Sequence, residues 1–254
     1  AYRFLDKFAE AETAFKKYTE LIPGDPNPYD SYAELLMKMG RFDESIAIYQ
    51  KALSLDPNFV ASYVGIGNDH LCAGRPAEAR AAFASFADLP RPRTAVLLGG
   101  PSAHARFDLA AFEALASQLD AALAHEGGSV MVTTSRRTPT DVIAALRKRY
   151  VETPNVVWCG DADGINPYPG MLAWADRIVA SPDSVNMLSE ACATEVPVFV
   201  FEPDRVNGRP RRFLDALLAC GRVGGMGTTL ASFSVEPLRE TARVAALVKQ
   251  RLSL

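Results

Sequence analysis

The chain is poor in the residues that build metal centres and disulfide frameworks. Its 254 residues include only three histidines and four cysteines, and no two cysteines form a CxxC pair. Scattered cysteines are typical of reduced thiols, and histidines this far apart in sequence do not predict a zinc site. We therefore expect no metal, no cofactor and a cytoplasmic protein.

Long apolar runs and a surplus of one charge are also missing. No run approaches the roughly 18 apolar residues of a membrane span, and nothing at the start resembles a signal peptide. A net charge of −3 provides no basic field that would attract nucleic acid. We expect neither a membrane span nor a nucleic-acid partner. Because the chain begins with Ala1 inside a helical pattern, we interpret it as a fragment or a processed product.

The motifs of several enzyme classes are absent. No GxSxG occurs, and "GGPSAH" is neither a P-loop nor a GxGxxG fingerprint, which argues against hydrolase, ATPase and dehydrogenase chemistry. His104 is a weak candidate catalytic residue, either as a general base or as a phosphate ligand, and a plain surface histidine is the alternative. The residues leave open whether the protein is an enzyme.

What the sequence does contain, over residues 1–90, is an internal repeat. Gly40 and Gly74 lie 34 residues apart, and so do Tyr49 and Phe83. This period resembles the tetratricopeptide repeat, a helix–turn–helix unit. About two and a half repeats are present, and we expect them to bind a peptide or protein partner. A spacer or a dimerisation arm is the alternative.

Residues 91–254 follow the prolines of "LPRPR" and alternate short apolar runs with helical patterns. We expect strands at 94–100, 129–135, 155–160, 177–181 and 196–201. Strands that alternate with helices indicate right-handed βαβ units and a doubly wound parallel sheet. Ligands of such sheets bind at the carboxyl ends of the strands.

Small, polar and basic residues follow these strands, and their loops should converge on one edge of the sheet. Glycine amides and a helix start can bind phosphate, and arginine can bind two phosphate oxygens. The candidate phosphate-binding residues are Gly99, Gly100, Ser102, Ser135, Arg136, Asp183 and Ser184. Each has an ordinary structural alternative, as a turn, a helix cap or a surface charge, and the convergence of three loops favours a diphosphate site.

Glu190 follows Ser184 by six residues on roughly the same side of the predicted helix. It completes the candidate nucleotide site because it can reach a ribose hydroxyl from there. A solvent-facing glutamate is the alternative.

Four segments in order carry a resemblance to a known family: "VLLGGPSAHARFD", "MVTTSRRTP", "NPYPGMLAWADRIVASPDSVNMLSEACAT" and "VPVFVF". They resemble the family named for the mitochondrial fission factor of elongated-mitochondria mutants, over residues of about 92 to 250. That family is similar to the nucleotide-binding half of GT-B glycosyltransferases. The resemblance implies a nucleotide-diphosphate sugar as substrate, with its diphosphate at the 183–194 helix and its ribose at Glu190. Plant members are implicated in recruiting a dynamin-related protein to mitochondria.

Two departures from the family pattern bear on function. "ATEVPV" replaces a Thr-Gly-Lys-Pro-like segment, and helical repeats stand where the family has a first α/β half. A donor half alone lacks the groups that hold an acceptor in register. Three interpretations therefore stay open: a glycosyltransferase-like protein, a non-catalytic interaction protein, and two unrelated parts joined artificially.

Overall fold

The computed structural model describes residues 8–57, 59–151, 154–164 and 166–238. These residues form two compact units. The first contains the described residues up to Ala87 together with Asp163–Ala173, and the second contains Asp88–Ala162 and the described residues from Trp174 onward. No helix in these ranges is long and apolar enough to cross a membrane.

The first unit is helical, as the 34-residue period predicts. Its helices are α1 (Phe8–Leu21), α2 (Pro26–Lys38), α3 (Phe42–Leu55), α4 (Val60–Cys72) and α5 (Pro76–Ala82). Helix α2 begins where the side chain of Asp25 accepts a hydrogen bond from the Asn27 amide and proline occupies the first turn. Gly40 and Gly74, at φ +74° and +71°, follow α2 and α4, because the turn between two helices needs a left-handed residue.

Small residues bring the repeat helices together. Ser45 of α3 is fully buried and donates a hydrogen bond to the carbonyl of Ala33 on α2, at 2.8 Å. Gly65 of α4 lies against the Tyr49 ring, where a β-carbon would overlap the ring atoms. The fold of this unit is therefore the predicted tetratricopeptide-like stack of antiparallel helices.

A segment distant in sequence also belongs to the first unit. Helix α8 (Tyr168–Trp174) follows the third strand of the second unit, yet its residues up to Ala173 cluster with the repeat helices. Arg80 Nε donates to the Ala173 carbonyl at 2.7 Å, and Gly170 allows the Phe83 ring to pack directly on the α8 backbone.

The second unit contains a six-stranded parallel sheet in the order β3-β2-β1-β4-β5-β6. The strands are β1 (Arg93–Leu98), β2 (Ser129–Thr134), β3 (Val156–Trp158), β4 (Arg177–Ala180), β5 (Val198–Val200) and β6 (Val223–Gly225). The five predicted strands are confirmed, each shorter than predicted, and β1 begins one residue earlier than predicted. The sixth, β6, is an addition: three residues that include two glycines carry almost no strand pattern.

Four further helices connect the strands: α6 (Leu109–Glu126), α7 (Thr140–Tyr150), α9 (Val185–Cys192) and α10 (Gly208–Ala219). All residues of β1, β2, β4 and β5 are buried, as expected for a parallel sheet. Phe112, Leu115 and Leu119 of α6 pack in the same core cluster as Val130 and Val132 of β2. The core therefore holds the strand ends, and the loops that follow them, in fixed positions.

Candidate functional site

The sheet reverses its winding between β1 and β4. The chain proceeds from β1 to β2 and β3 on one side, and from β4 to β5 and β6 on the other. Leu98 pairs with Thr134 and Leu97 pairs with Ala180, so the loops after β1, β2 and β4 leave the sheet at one edge. Such a switch point is where open α/β sheets form a ligand crevice.

Asp183 occupies the centre of this edge. Its side chain is 0% exposed, and its carboxylate accepts three hydrogen bonds. The Gly100 amide donates at 3.0 Å, the Ser181 hydroxyl at 2.6 Å and Arg137 Nη2 at 3.0 Å. We call these four residues the switch-point cluster. The carboxylate thus joins the loops after β1, β2 and β4.

The two glycines after β1 have a structural role that the sequence analysis does not anticipate. The Gly99 amide donates to Ser181 Oγ at 2.8 Å, and the Gly100 amide donates to Asp183. A β-carbon at Gly99 would overlap the Asp183 carboxylate, and one at Gly100 would overlap the carbonyl of Arg137. Both glycines are therefore needed for close approach of the chain to itself, and their amides are already used. Their predicted role as phosphate donors stays a prediction.

The two arginines after β2 differ in position. Arg136, the predicted phosphate ligand, is exposed, whereas Arg137 pairs with Asp183 and lies 3.4 Å from the carbonyls of Gly100 and Pro101. Neighbouring residues in a turn point in different directions, and the pattern "TSRRTP" does not indicate which one faces the cluster.

Ser135 shapes the turn in which those arginines lie. Its amide donates to Thr138 Oγ1 at 3.0 Å, and its own hydroxyl accepts from the Arg137 amide at 3.2 Å. Thr138 Oγ1 in turn donates to the Gly99 carbonyl at 2.5 Å. Thr138, which the sequence analysis did not select, therefore ties the β2 loop to the β1 loop.

Ser184 is the N-cap of α9, which is the structural alternative that the sequence offers for this residue. Its φ and ψ of −116° and 105° are extended, and its hydroxyl accepts from the Met187 amide at 3.4 Å. Val185 and Asn186, the first two residues of the helix, are exposed. The first amides of a helix have no partner within the helix, so this end is accessible to an anion. Glu190 lies on the same helix and is exposed.

The far end of the β1 loop lies beside the loop after β5. Ser102 Oγ accepts from the amides of His104 and Ala105, at 3.2 and 3.1 Å, so it stabilises the turn of the loop. His104 is exposed, and its Nδ1 lies 3.2 Å from Asn207 Oδ1. Ala105 forms an antiparallel bridge with Val206. The β1 loop therefore extends past β4, and the structure groups His104 with Asn207.

Buried groups also fix the other end of α9. Arg222 is 3% exposed and donates to the carbonyls of Ala191, Cys192, Thr194 and Val196.

All four cysteines are free, and burial raises the pKa of the Cys192 thiol to about 11. This thiol stays protonated at neutral pH and packs as an apolar group.

The fold and the site define a class: a helical repeat module joined to a doubly wound α/β domain with a loop cluster at its switch point. The chain belongs to the mitochondrial fission ELM1 family, whose model matches residues 63–252. A tetratricopeptide repeat model matches residues 27–59.

Two curated relatives match about two thirds of this chain. The mitochondrial fission protein ELM1 of Arabidopsis thaliana is 35% identical over 172 residues, which are 66% of this chain and 40% of that protein. The uncharacterized protein RP120 of Rickettsia prowazekii (strain Madrid E) is 28% identical over 167 residues, which are 63% of this chain and 47% of that protein. The chain thus matches less than half the length of each.

Solved structures match about a third of this chain. The TPR2B domain in the pHsp70 complex of yeast Sti1 is 27% identical, with a TM-score of 0.31, and the match covers 33% of this chain and 67% of that chain. A MamA AMB-1 structure is 30% identical, with a TM-score of 0.30, over 33% of this chain and 45% of that chain.

Proposed function

We propose that the α/β domain binds a nucleotide-diphosphate sugar at the switch-point edge of its sheet. The observation that carries this proposal is the accessible start of α9, capped by Ser184 and joined to the loop that bears Arg136 by the hydrogen bond from Arg137 to Asp183. In this proposal the first amides of α9 and the Arg136 guanidinium hold phosphate oxygens. Glu190 accepts a hydrogen bond from a ribose hydroxyl.

Glycosyl transfer would need a second set of groups that binds the acceptor. Holding donor and acceptor in register supplies much of the rate of a two-substrate reaction. We therefore propose donor binding as the property of this chain, and transfer as the property of an assembly that supplies the acceptor side. His104 is the weak candidate for a proton acceptor there.

Calorimetric titration with uridine and guanosine diphosphate sugars tests donor binding. We expect one member of the panel to bind at submillimolar concentration, and Arg136→Ala with Ser184→Ala to weaken it at least about tenfold. Arg147→Ala is the matched control, since Arg147 lies in the last turn of α7 at the opposite edge. The proposal fails if no sugar nucleotide binds at millimolar concentration, or if the double variant binds as the wild type does.

A second candidate is protein interaction without catalysis. The specific observation in its favour is that Asp183 already occupies the Gly100 amide, a donor that a diphosphate site would use. In this case the α/β domain is a docking surface or a retired enzyme half, and the tetratricopeptide repeats bind a peptide or protein partner. A photo-crosslinking residue at the exposed Tyr63 should then capture a specific partner, with no turnover of any donor in its presence. The same residue at the exposed Lys148 of α7 is the control.

A further inference from the structure

The switch-point cluster connects three loops through one carboxylate, which is more than the packing of a single loop requires. Asp183 is the residue immediately before the N-cap of α9, so the hydrogen bonds of its carboxylate hold the chain at the point where the helix begins. The same carboxylate is hydrogen-bonded to the β1 loop through Gly100 and to the β2 loop through Arg137. One buried group therefore relates the three loops that surround the proposed phosphate position.

Asp183 is too enclosed to contact a ligand itself. Its side chain is fully buried, and its two oxygens already accept hydrogen bonds from Ser181, Gly100 and Arg137. Arg137 differs because 45% of its side chain is exposed, so part of the guanidinium faces solvent. Nη2 donates to Asp183 and Nη1 donates to the carbonyls of Gly100 and Pro101, so Nε–H and one N–H of Nη2 are the donors that remain for a ligand in the described contacts.

We infer that Asp183 is a positioning residue of the proposed nucleotide site: its buried carboxylate orients the start of α9 and the guanidinium of Arg137 toward the phosphates of the ligand. This inference rests on the proposed function. It assigns a phosphate-directed role to Arg137 in addition to Arg136, and it removes Gly99 and Gly100 from the phosphate contacts. The anion is then held by the α9 side of the crevice and by the β2 loop.

A purely structural aspartate and a positioning aspartate give different binding patterns. Loss of a structural residue weakens all ligands of a site alike, because it lowers the population of the folded site. Loss of a positioning residue weakens the binding of only those ligands that contact the groups it orients. The ratio of affinities for a nucleoside diphosphate and for the same nucleoside without phosphate separates the two.

The experiment is calorimetric titration of the full chain with a nucleoside diphosphate of the base that the wild type binds, and with the parent nucleoside. We expect Asp183→Asn to weaken binding of the diphosphate about tenfold and to change the affinity for the nucleoside by less than about twofold. Asp120→Asn is the matched control, because Asp120 forms a half-buried aspartate–arginine pair with Arg149 between α6 and α7. It should leave both affinities unchanged.

Arg137→Gln tests the same cluster from its exposed side and is expected to fold even if Asp183→Asn does not. We expect it to weaken the diphosphate by about fivefold to tenfold, and to have a smaller effect when Asp183→Asn is already present. If Arg137→Gln binds the diphosphate as tightly as the wild type does, the inference is overturned. It is also overturned if Asp183→Asn loses affinity for the nucleoside and the diphosphate equally. Either result leaves the proposed donor binding intact. Absence of nucleotide binding in the wild type overturns both.

Discussion

Asp69 in the second repeat provides a test of the energetics of the helical unit. It lies on α4, is fully buried, and neither carboxylate oxygen has a hydrogen-bond partner among the residues that the structure describes. The preceding repeat has Leu35 at the corresponding position, 34 residues earlier, and Leu35 is also fully buried. A charged group thus replaces an apolar one at an equivalent core position.

Burial raises the pKa of Asp69 from 3.8 to about 6, an effect that the nearby Arg75 guanidinium opposes. Between about pH 4 and about pH 6 the folded chain holds a proton that the unfolded chain has lost, so stability falls as the pH rises through this window. Two pKa units correspond to about 3 kcal/mol, and relaxation of the helices with water penetration around the charged group reduces the expected cost to about 1–2 kcal/mol at pH 7.

We therefore expect Asp69→Asn to stabilise the repeat helices by about 1–2 kcal/mol at pH 7 and to have little effect near pH 4. Asp69→Leu, which copies the preceding repeat, should stabilise at least as much at pH 7. Hydrogen exchange of the α3 and α4 amides measures the local opening free energy in the full chain. Intrinsic fluorescence is less informative, because Trp158 and Trp174 lie in the second unit.

Glu78→Gln is the control for this measurement, since it removes an exposed carboxylate of the same unit and should change the opening free energy by less than about 0.5 kcal/mol. Slower exchange in Asp69→Asn by the same factor at both pH values would refute the reasoning, because the gain would then not come from the charge. Faster exchange at pH 7 would refute it as well.

Three further predictions concern stability. Gly99→Ala should destabilise the α/β domain by about 2–4 kcal/mol in urea unfolding, because its methyl group would overlap the Asp183 carboxylate. Gly65→Ala should lower the local stability of α4 by about 1–3 kcal/mol by hydrogen exchange, since overlap with Tyr49 outweighs the better helix propensity of alanine. Arg222→Lys should raise the exchange rate of the α9 amides, because lysine keeps the charge but cannot reach the same set of carbonyls.

Gly24→Ala is the control for both glycine variants, since no atom lies within 4 Å of the added methyl group. Wild-type stability in Gly99→Ala or in Gly65→Ala would contradict the close packing described for that glycine. Unchanged α9 exchange in Arg222→Lys would show that the helix end does not depend on the guanidinium fork.

Local patterns determined the secondary structure and the family of this protein. Gly40 and Gly74 lie 34 residues apart, and each follows the end of a helix. The turn between two helices needs a left-handed residue there, which favours glycine in both repeats. The apolar runs became parallel strands, because a strand buried on both faces has to be apolar along its whole length. The Ser184 cap was also predictable, since it depends on residues only a few positions away.

Tertiary structure alone decided which of the candidate groups meet. The order of the strands, the pairing of Asp183 with Arg137 rather than Arg136, and the grouping of α8 with the repeats each join residues that are distant in sequence. The physical reason is that a hydrogen bond across 46 or 83 residues depends on how whole strands and helices pack, and no local pattern encodes that distance. The glycines after β1 illustrate the difference: the sequence shows only that two glycines follow the strand, and the fold shows that a β-carbon would overlap the Asp183 carboxylate at Gly99 and the Arg137 carbonyl at Gly100.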